Sequence, residues 1–155
     1  MKRKIFLIGL PGSGKTTMGL DLSVHLGIQF VDLDQEVEKA TKQSIRELFK
    51  EKGEGHFRQL EKFHLEAVIQ NLDEFVLATG GGTPCFFDNL ELMKKHGSII
   101  YIDTPIDLIN NRLEKDTTRP LMKLKTLEEL LAERKGWYNQ ADHTIQEYKE
   151  LLKLF

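Results

Sequence analysis

Gly9-Leu10-Pro11-Gly12-Ser13-Gly14-Lys15-Thr16 spells G-x-x-x-x-G-K-T, and Thr17 follows it. The apolar run Ile5-Phe6-Leu7-Ile8 precedes this stretch, and an amphipathic pattern over Thr17–Leu26 comes after it. Strand, loop and helix in that order are the setting a phosphate-binding loop requires. A glycine-rich turn after a strand is the plainer reading, and this setting argues against it. The glycines let successive backbone N–H groups point inward around an anion. The helix N-terminus adds partial positive charge. Gly12, Ser13, Gly14, Lys15, Thr16 and Thr17 are therefore expected around the phosphates of a nucleotide. Lys15 would bridge the β- and γ-phosphates, and the Thr16 hydroxyl would hold Mg²⁺.

Working outward from the loop, apolar runs recur at Ile5–Ile8, Ile28–Val31, Phe75–Ala78 and Ile99–Ile102. They read as buried parallel strands. His143–Ile145 is a candidate for a short fifth, before a terminal helix over Glu147–Leu154. Helical patterns lie between the runs. Ser44 with Glu47, Asp88 with Glu91, and Thr126 with Glu129 have capping-box spacing or its Asp equivalent. Thr104-Pro105 places a proline in a first helical turn, and Gly27 and Gly97 sit where helices should stop. Glu54–Asn71 reads as one long helix with Phe57, Leu60, His64 and Ala67/Val68 along a stripe. The alternation predicts an α/β fold, a three-layer α/β/α arrangement with helices on both faces of a parallel sheet. Ligands of such sheets bind beyond the carboxyl ends of the strands. The phosphate loop, Asp32 and Asp34, Thr79 with Gly80–Gly82, and Asp103 all fall on that edge.

The chain has 155 residues, 40% hydrophobic and 30% charged, with a net charge of −2. Those totals suit a single domain over 1–155 and give no global attraction to nucleic acid or anionic membrane. No apolar run reaches membrane-spanning length, and the basic start Met1-Lys2-Arg3-Lys4 leads into a first strand rather than a signal peptide. The single cysteine, Cys85, fits a reducing compartment and reads as a core or loop residue. The five histidines show no metal-ligand spacing, and Trp137 and Tyr138 read as packing residues.

Other residues carry candidate chemistry. Alternation along the end of the second strand puts Asp32 and Asp34 on one side. Mg²⁺ near Thr16 would suit Asp32. Asp34, further out, would face a second substrate or cap the next helix. Arg58 lies three residues before Glu61, a helical neighbour. The pair is either a solvated surface pair or, beside Phe49 and Phe57, a carboxylate receptor. Gly80-Gly81-Gly82 is a turn at least and allows close approach of a ligand. Arg112 and Arg134 lie on helical stretches, and Arg119 lies in the polar connection Asp116–Lys125, which suits a mobile lid.

Taken in order, the phosphate loop, Asp32-Leu33-Asp34, Ser44-Ile45-Arg46-Glu47-Leu48-Phe49, Gly53-Glu54-Gly55-His56-Phe57-Arg58 with Glu61, Ala78-Thr79-Gly80-Gly81-Gly82, Arg119-Pro120-Leu121 and Arg134 with Tyr138 resemble the shikimate kinase family. The resemblance covers nearly the whole chain. It implies a P-loop, nucleoside-monophosphate-kinase-like fold with a central five-stranded parallel sheet. It also implies a substrate-binding region at about 33–61 and a lid at about 116–125. The implied reaction is transfer of the ATP γ-phosphoryl group to the 3-hydroxyl of shikimate, on the route to chorismate and aromatic amino acids. By that likeness Asp34, Arg58, Gly80, Gly81, Gly82 and Arg134 would bind shikimate, with Phe49 and Phe57 lining its pocket. Arg58 and Arg134 would take the carboxylate and Asp34 the hydroxyls. Arg112 would lie against adenine, and Lys15, Asp34 and Arg119 would carry catalysis with Mg²⁺ held at Thr16 and Asp32. The expected partners are ATP/ADP and shikimate, with no nucleic acid and no membrane, and the expected state is a cytoplasmic monomer. Two other readings stay open: a different small-molecule P-loop kinase of the gluconate or nucleoside-monophosphate type, and a non-catalytic nucleotide-binding module.

Overall fold

Strand β1 (Lys4–Ile8) lies at the centre of a five-stranded sheet because its apolar residues are buried on both faces, Ile5 through Ile8 being 1% exposed or less. A computed structural model describes residues 3–114 and 125–155. β2 (Gln29–Asp32), β3 (Phe75–Ala78), β4 (Ser98–Ile102) and β5 (His143–Ile145) complete the sheet in the order β2-β3-β1-β4-β5. Every pairing is parallel. β3 and β4 are near-continuous buried apolar runs, as strands covered on both faces must be. The edge strands β2 and β5 admit exposed Gln29, His143 and Thr144.

The helices are α1 (Lys15–Leu26), α2 (Leu33–Thr41), α3 (Ile45–Asn71), α4 (Asn89–His96), α5 (Ile106–Glu114), α6 (Leu127–Tyr138) and α7 (Tyr148–Leu152). One core joins Phe6, Ile8, Leu65, Val68, Phe75, Leu77, Met93, Ile99, Ile109 and Tyr138. On the opposite face Leu22 of α1 and Leu151 of α7 pack on Ile5, Leu7, Val76 and Ile100. A small third cluster, Val37, Leu48 and Phe57 with Ile45, Phe49 and Leu60 against it, holds α2 to the first half of α3. The register pairs Asp32 with Ala78 and Ala78 with Leu7, so the loops that follow β1, β2 and β3 leave the sheet side by side.

Several local expectations need correction. The long helix begins at Ile45, not Glu54, and kinks at Gly53, whose φ of 83° and ψ of 170° an L side chain rarely adopts. Its buried stripe is Phe57, Arg58, Glu61, Leu65, Val68 and Ile69; Leu60, His64 and Ala67 sit at its margin. Ser44 and Thr126 cap their helices as their spacing implies, accepting from the N–H groups of Glu47 and Glu129 at 3.1 Å. Asp88 does not cap α4, because its carboxylate is taken by Lys62. Gly27 ends α1 in the left-handed region, φ 68°, but Gly97 is extended. A side chain at Gly97 would collide with the Lys4 carbonyl, so close packing against β1 explains that glycine.

Candidate active site

The phosphate loop is shaped by backbone conformation. Gly12 and Gly14 take φ of 80° and 103°, and Gly14 sits at the N-cap of α1. Lys15 is buried, and its ammonium donates to the Gly9 and Leu10 carbonyls at 2.6 and 2.9 Å. Its charge is thus held across the mouth of the loop. Ser13 lies inside the loop, its carbonyl accepting the Thr104 hydroxyl at 2.6 Å. Thr16 Oγ1 donates to Asp32 Oδ2 at 2.9 Å, so the two candidate metal ligands are already together. Asp32 ends β2 and caps α2 by accepting from the Gln35 N–H. Asp34 therefore stands in the first turn of α2 rather than alternating along a strand, and the helix cap is Asp32. Arg112 of α5 donates to the Gly12 carbonyl at 3.0 Å, over the loop.

The other half of the site is assembled from distant segments. Arg58 and Glu61 are not a surface pair. Both side chains are buried, 6% and 1% exposed, and Arg58 Nη1 donates to Glu61 Oε1 at 3.0 Å. The second carboxylate oxygen of Glu61 accepts the Thr83 hydroxyl at 2.8 Å, and Asn89 Nδ2 donates to the Thr83 carbonyl. These bonds fix the 3-10 turn Thr83–Cys85 directly after Gly80–Gly82. The Tyr138 hydroxyl of α6 donates to the Gly81 carbonyl at 2.5 Å.

Each of the three glycines makes room for a different neighbour. A Cβ on Gly80 would stand 2.8 Å from Glu61 Oε2 and 3.0 Å from Asp34 Oδ1. One on Gly81 would stand 2.8 Å from both Arg134 Nη1 and Pro11 Cδ, and one on Gly82 only 2.6 Å from Arg58 Nη2. None of the three has positive φ. Their missing side chains, more than their flexibility, let Asp34, Arg134 and Arg58 crowd one turn.

A cavity of about 870 Å³ runs from the phosphate loop to this turn. Of the described residues expected in the site, all but Ser13 and Phe49 line it. Phe49 stands behind the wall, its ring 5.0 Å from that of Phe57. Arg119 and nearly all of the expected lid lie outside the described residues. The spacing of Glu61 from Arg58 implies only their pairing, and Glu38, Ile45 and Arg46 of the same wall carry no local signal. The third-cluster packing of α2 on α3 brings them there, and no local motif announces it.

Acidic crowding shapes the electrostatics. Burial, then the Glu61 and Asp32 carboxylates, push the Asp34 pKa up to about 6, with Lys15 opposing. Burial also raises Glu61, partly offset by Arg58 and Thr83. Cys85 sits beside the turn with its thiol pushed up to about 11 by burial, so it is a poor nucleophile.

Two cations and a crowded carboxylate facing a phosphate loop describe a site for an anionic, hydroxylated small molecule beside a nucleotide. The family model described as shikimate kinase matches residues 11–153. The chain belongs to the shikimate kinase family. A shikimate kinase of Persephonella marina is 43% identical over 145 residues, covering 92% of this chain and 88% of the relative. One of Nostoc punctiforme is 46% identical, covering 92% and 81%. Among solved structures, a shikimate kinase from Acinetobacter baumannii in complex with shikimate superposes with a TM-score of 0.92 at 34% identity, covering 99% of this chain and 93% of that one. Family membership makes the chain an ATP-dependent kinase and accounts for the P-loop kinase fold.

Proposed function

We propose that the cavity holds ATP and shikimate together, and that its residues divide the transfer of the γ-phosphoryl group to the 3-hydroxyl as follows. Gly12, Gly14, Lys15, Thr16 and Thr17 cradle the phosphates, with Ser13 supporting the loop from within. Arg112 lies over that loop on the nucleotide side. Thr16 and Asp32 present a pair of hard oxygen ligands 2.9 Å apart, a donor set that suits Mg²⁺. The ion, when bound, neutralises phosphate charge. Arg58 and Arg134 receive the shikimate carboxylate over Gly82 and Gly81, with Phe57 as an apolar wall. Asp34, above Gly80, accepts a hydrogen bond from the reacting hydroxyl and takes its proton late. A pKa near 6 leaves Asp34 ionised at neutral pH and closer to a useful proton acceptor than an ordinary carboxylate. Arg119 is assigned to the transferring phosphoryl group by its place in Arg119-Pro120-Leu121 alone. Positioning and charge neutralisation dominate such a reaction, because the transition state is loose.

The observation that carries this reading is the pair of arginines packed on adjacent glycines at one end of a cavity whose other end is the phosphate loop. Residues 33–61 form the substrate wall of one domain. No helix among the described residues is long and apolar enough to cross a membrane; a cytoplasmic monomer completes the proposal. ADP release with MgATP and shikimate, against gluconate, quinate and AMP, is the test. Turnover with shikimate alone is expected. Turnover of gluconate or AMP with shikimate inert overturns the reading, and nucleotide binding without turnover of any acceptor would mark a non-catalytic module.

A further inference from the structure

Arg58 is held tightly by contact but sparsely by hydrogen bonds. Its Nη1 has Glu61, its Nη2 reaches Glu54 Oε2 only at 3.8 Å, and its buried Nε has no hydrogen-bond partner among the described residues. What closes on the guanidinium is aromatic. The Phe86 ring centroid lies 4.2 Å from Arg58 Cζ, and that of Phe57 lies 5.2 Å away. Both distances are within the range of cation–π attraction. Phe86 follows the 3-10 turn and is half-buried, while its neighbour Phe87 is turned outward with φ of 51° and 60% exposure. Lys62, one helical turn beyond Arg58, lies 5.5 Å over the Phe87 ring and pairs with Asp88. The two adjacent phenylalanines thus each take a cation of α3, the outer one at the surface and the inner one beside the cavity.

We propose that Phe86 is a positioning residue for shikimate, its ring holding the Arg58 guanidinium in the place from which it receives the carboxylate. The proposal rests on the reading of Arg58 given above. A guanidinium with one strong hydrogen bond can pivot about its side chain; a ring packed 4.2 Å from its Cζ restrains the pivot without occupying a hydrogen-bonding group. Preorganisation of this kind strengthens binding without adding a contact to the ligand.

Steady-state kinetics of Phe86→Leu, Phe86→Tyr and Arg58→Lys test it. Phe86→Leu keeps apolar volume and loses the π face; it should raise the KM for shikimate about five- to thirtyfold, the fold-change equivalent of a partly to fully desolvated cation–π contact. Its kcat and its KM for ATP should stay near wild type. Phe86→Tyr keeps the ring face and should restore the shikimate KM. A wild-type shikimate KM in the leucine variant overturns the proposal. So does a loss in which kcat, both KM values and Tm move together and tyrosine does not rescue, since that pattern belongs to a purely structural residue. If the leucine variant does not fold, Phe86→Met takes its place with the same criteria. Arg58→Lys separates the two levels. An unchanged shikimate KM there overturns the carboxylate reading itself. A raised KM there beside a normal one in the leucine variant overturns only the role of Phe86.

Discussion

At the phosphate end of the cavity the groups proposed to cradle the nucleotide belong to one contiguous stretch, Gly9–Thr17, and backbone conformation sets their geometry. Gly12 and Gly14 take positive φ, Lys15 folds onto carbonyls of its own loop, and Arg112, Asp32 and Thr104 reach in from elsewhere. At the acid end nothing is contiguous. Asp34 comes from α2, Arg58 and Glu61 from α3, the glycine turn from the end of β3, and Arg134 from α6. There several groups are placed by other side chains: Arg58 by Glu61 and two rings, Glu61 by Thr83, Gly81 by Tyr138. A loop closed on itself should respond to mutation as a unit. An end assembled from pairs should come apart one kinetic constant at a time.

The largest expected departure between the two ends is at Asp34. Asp34→Asn keeps the size of the side chain and removes the anionic acceptor, so kcat should fall by about two orders of magnitude or more. ATP binding should barely change, because Asp34 belongs to the acid end. A drop in ATP affinity of the same order would show that the ends are not separable. Gly82→Ala comes next. The added Cβ would stand 2.6 Å from Arg58 Nη2, and the guanidinium cannot swing away without leaving Glu61 and the ring of Phe86. The KM for shikimate should rise roughly tenfold at constant ATP affinity, in line with the loss of one charge-assisted contact, and Tm should fall as well, because displacing Arg58 disturbs its buried pair with Glu61. Equal losses for both substrates would mean that the turn supports the phosphate loop through Pro11 as well.

The same contrast explains what the sequence could disclose. The phosphate loop, the four strands β1 to β4, and even the three-residue strand His143–Ile145 are legible because hydrophobic runs and a spaced motif are local signals. The capping spacing of Ser44 with Glu47 marks the start of α3, but the joining of that start to the helix over Glu54–Asn71 runs through Gly53, a single residue of unusual φ that sequence pattern does not disclose. Burial of Arg58 and Glu61 ran against the usual fate of an i, i+3 ion pair. It depends on Thr83, Phe86 and Gly82, which sequence pattern does not bring together. Asp88 shows the reverse error: its capping spacing was right, but Lys62, twenty-six positions away, competes for the carboxylate. Phe49 fits a pocket by composition, yet the third cluster turns it behind Phe57.

The smallest expected effect concerns stability and has the opposite sign to the effect on activity. Burial and the Glu61 and Asp32 carboxylates raise the Asp34 pKa from 3.8 to about 6 in the folded chain. The folded state therefore favours the protonated acid. That contribution to stability is fully present below about pH 4 and is lost as pH rises through about 6. Under the role proposed for Asp34 activity runs the other way, since only the ionised carboxylate can take the proton of the shikimate hydroxyl, and kcat/KM for shikimate should fall as pH drops below about 6. Asparagine mimics the uncharged form at every pH. Asp34→Asn should thus raise Tm at pH 8 by about 2–4 °C, the shift expected for roughly 1 kcal/mol in a domain of this size, about a third of the full linkage value because Asp34 is only partly buried and solvent screens it, and the difference from wild type should shrink toward zero at pH 4. Thermal melts of both proteins across that range are the measurement. A mutant less stable than wild type at pH 8 would mean that the ionised Asp34 is welcomed where it stands, by Lys15 or by hydrogen bonds that asparagine cannot accept. The acid end would then be as self-consistent as the phosphate loop, and the acidic crowding around Asp34 would not account for its proton affinity.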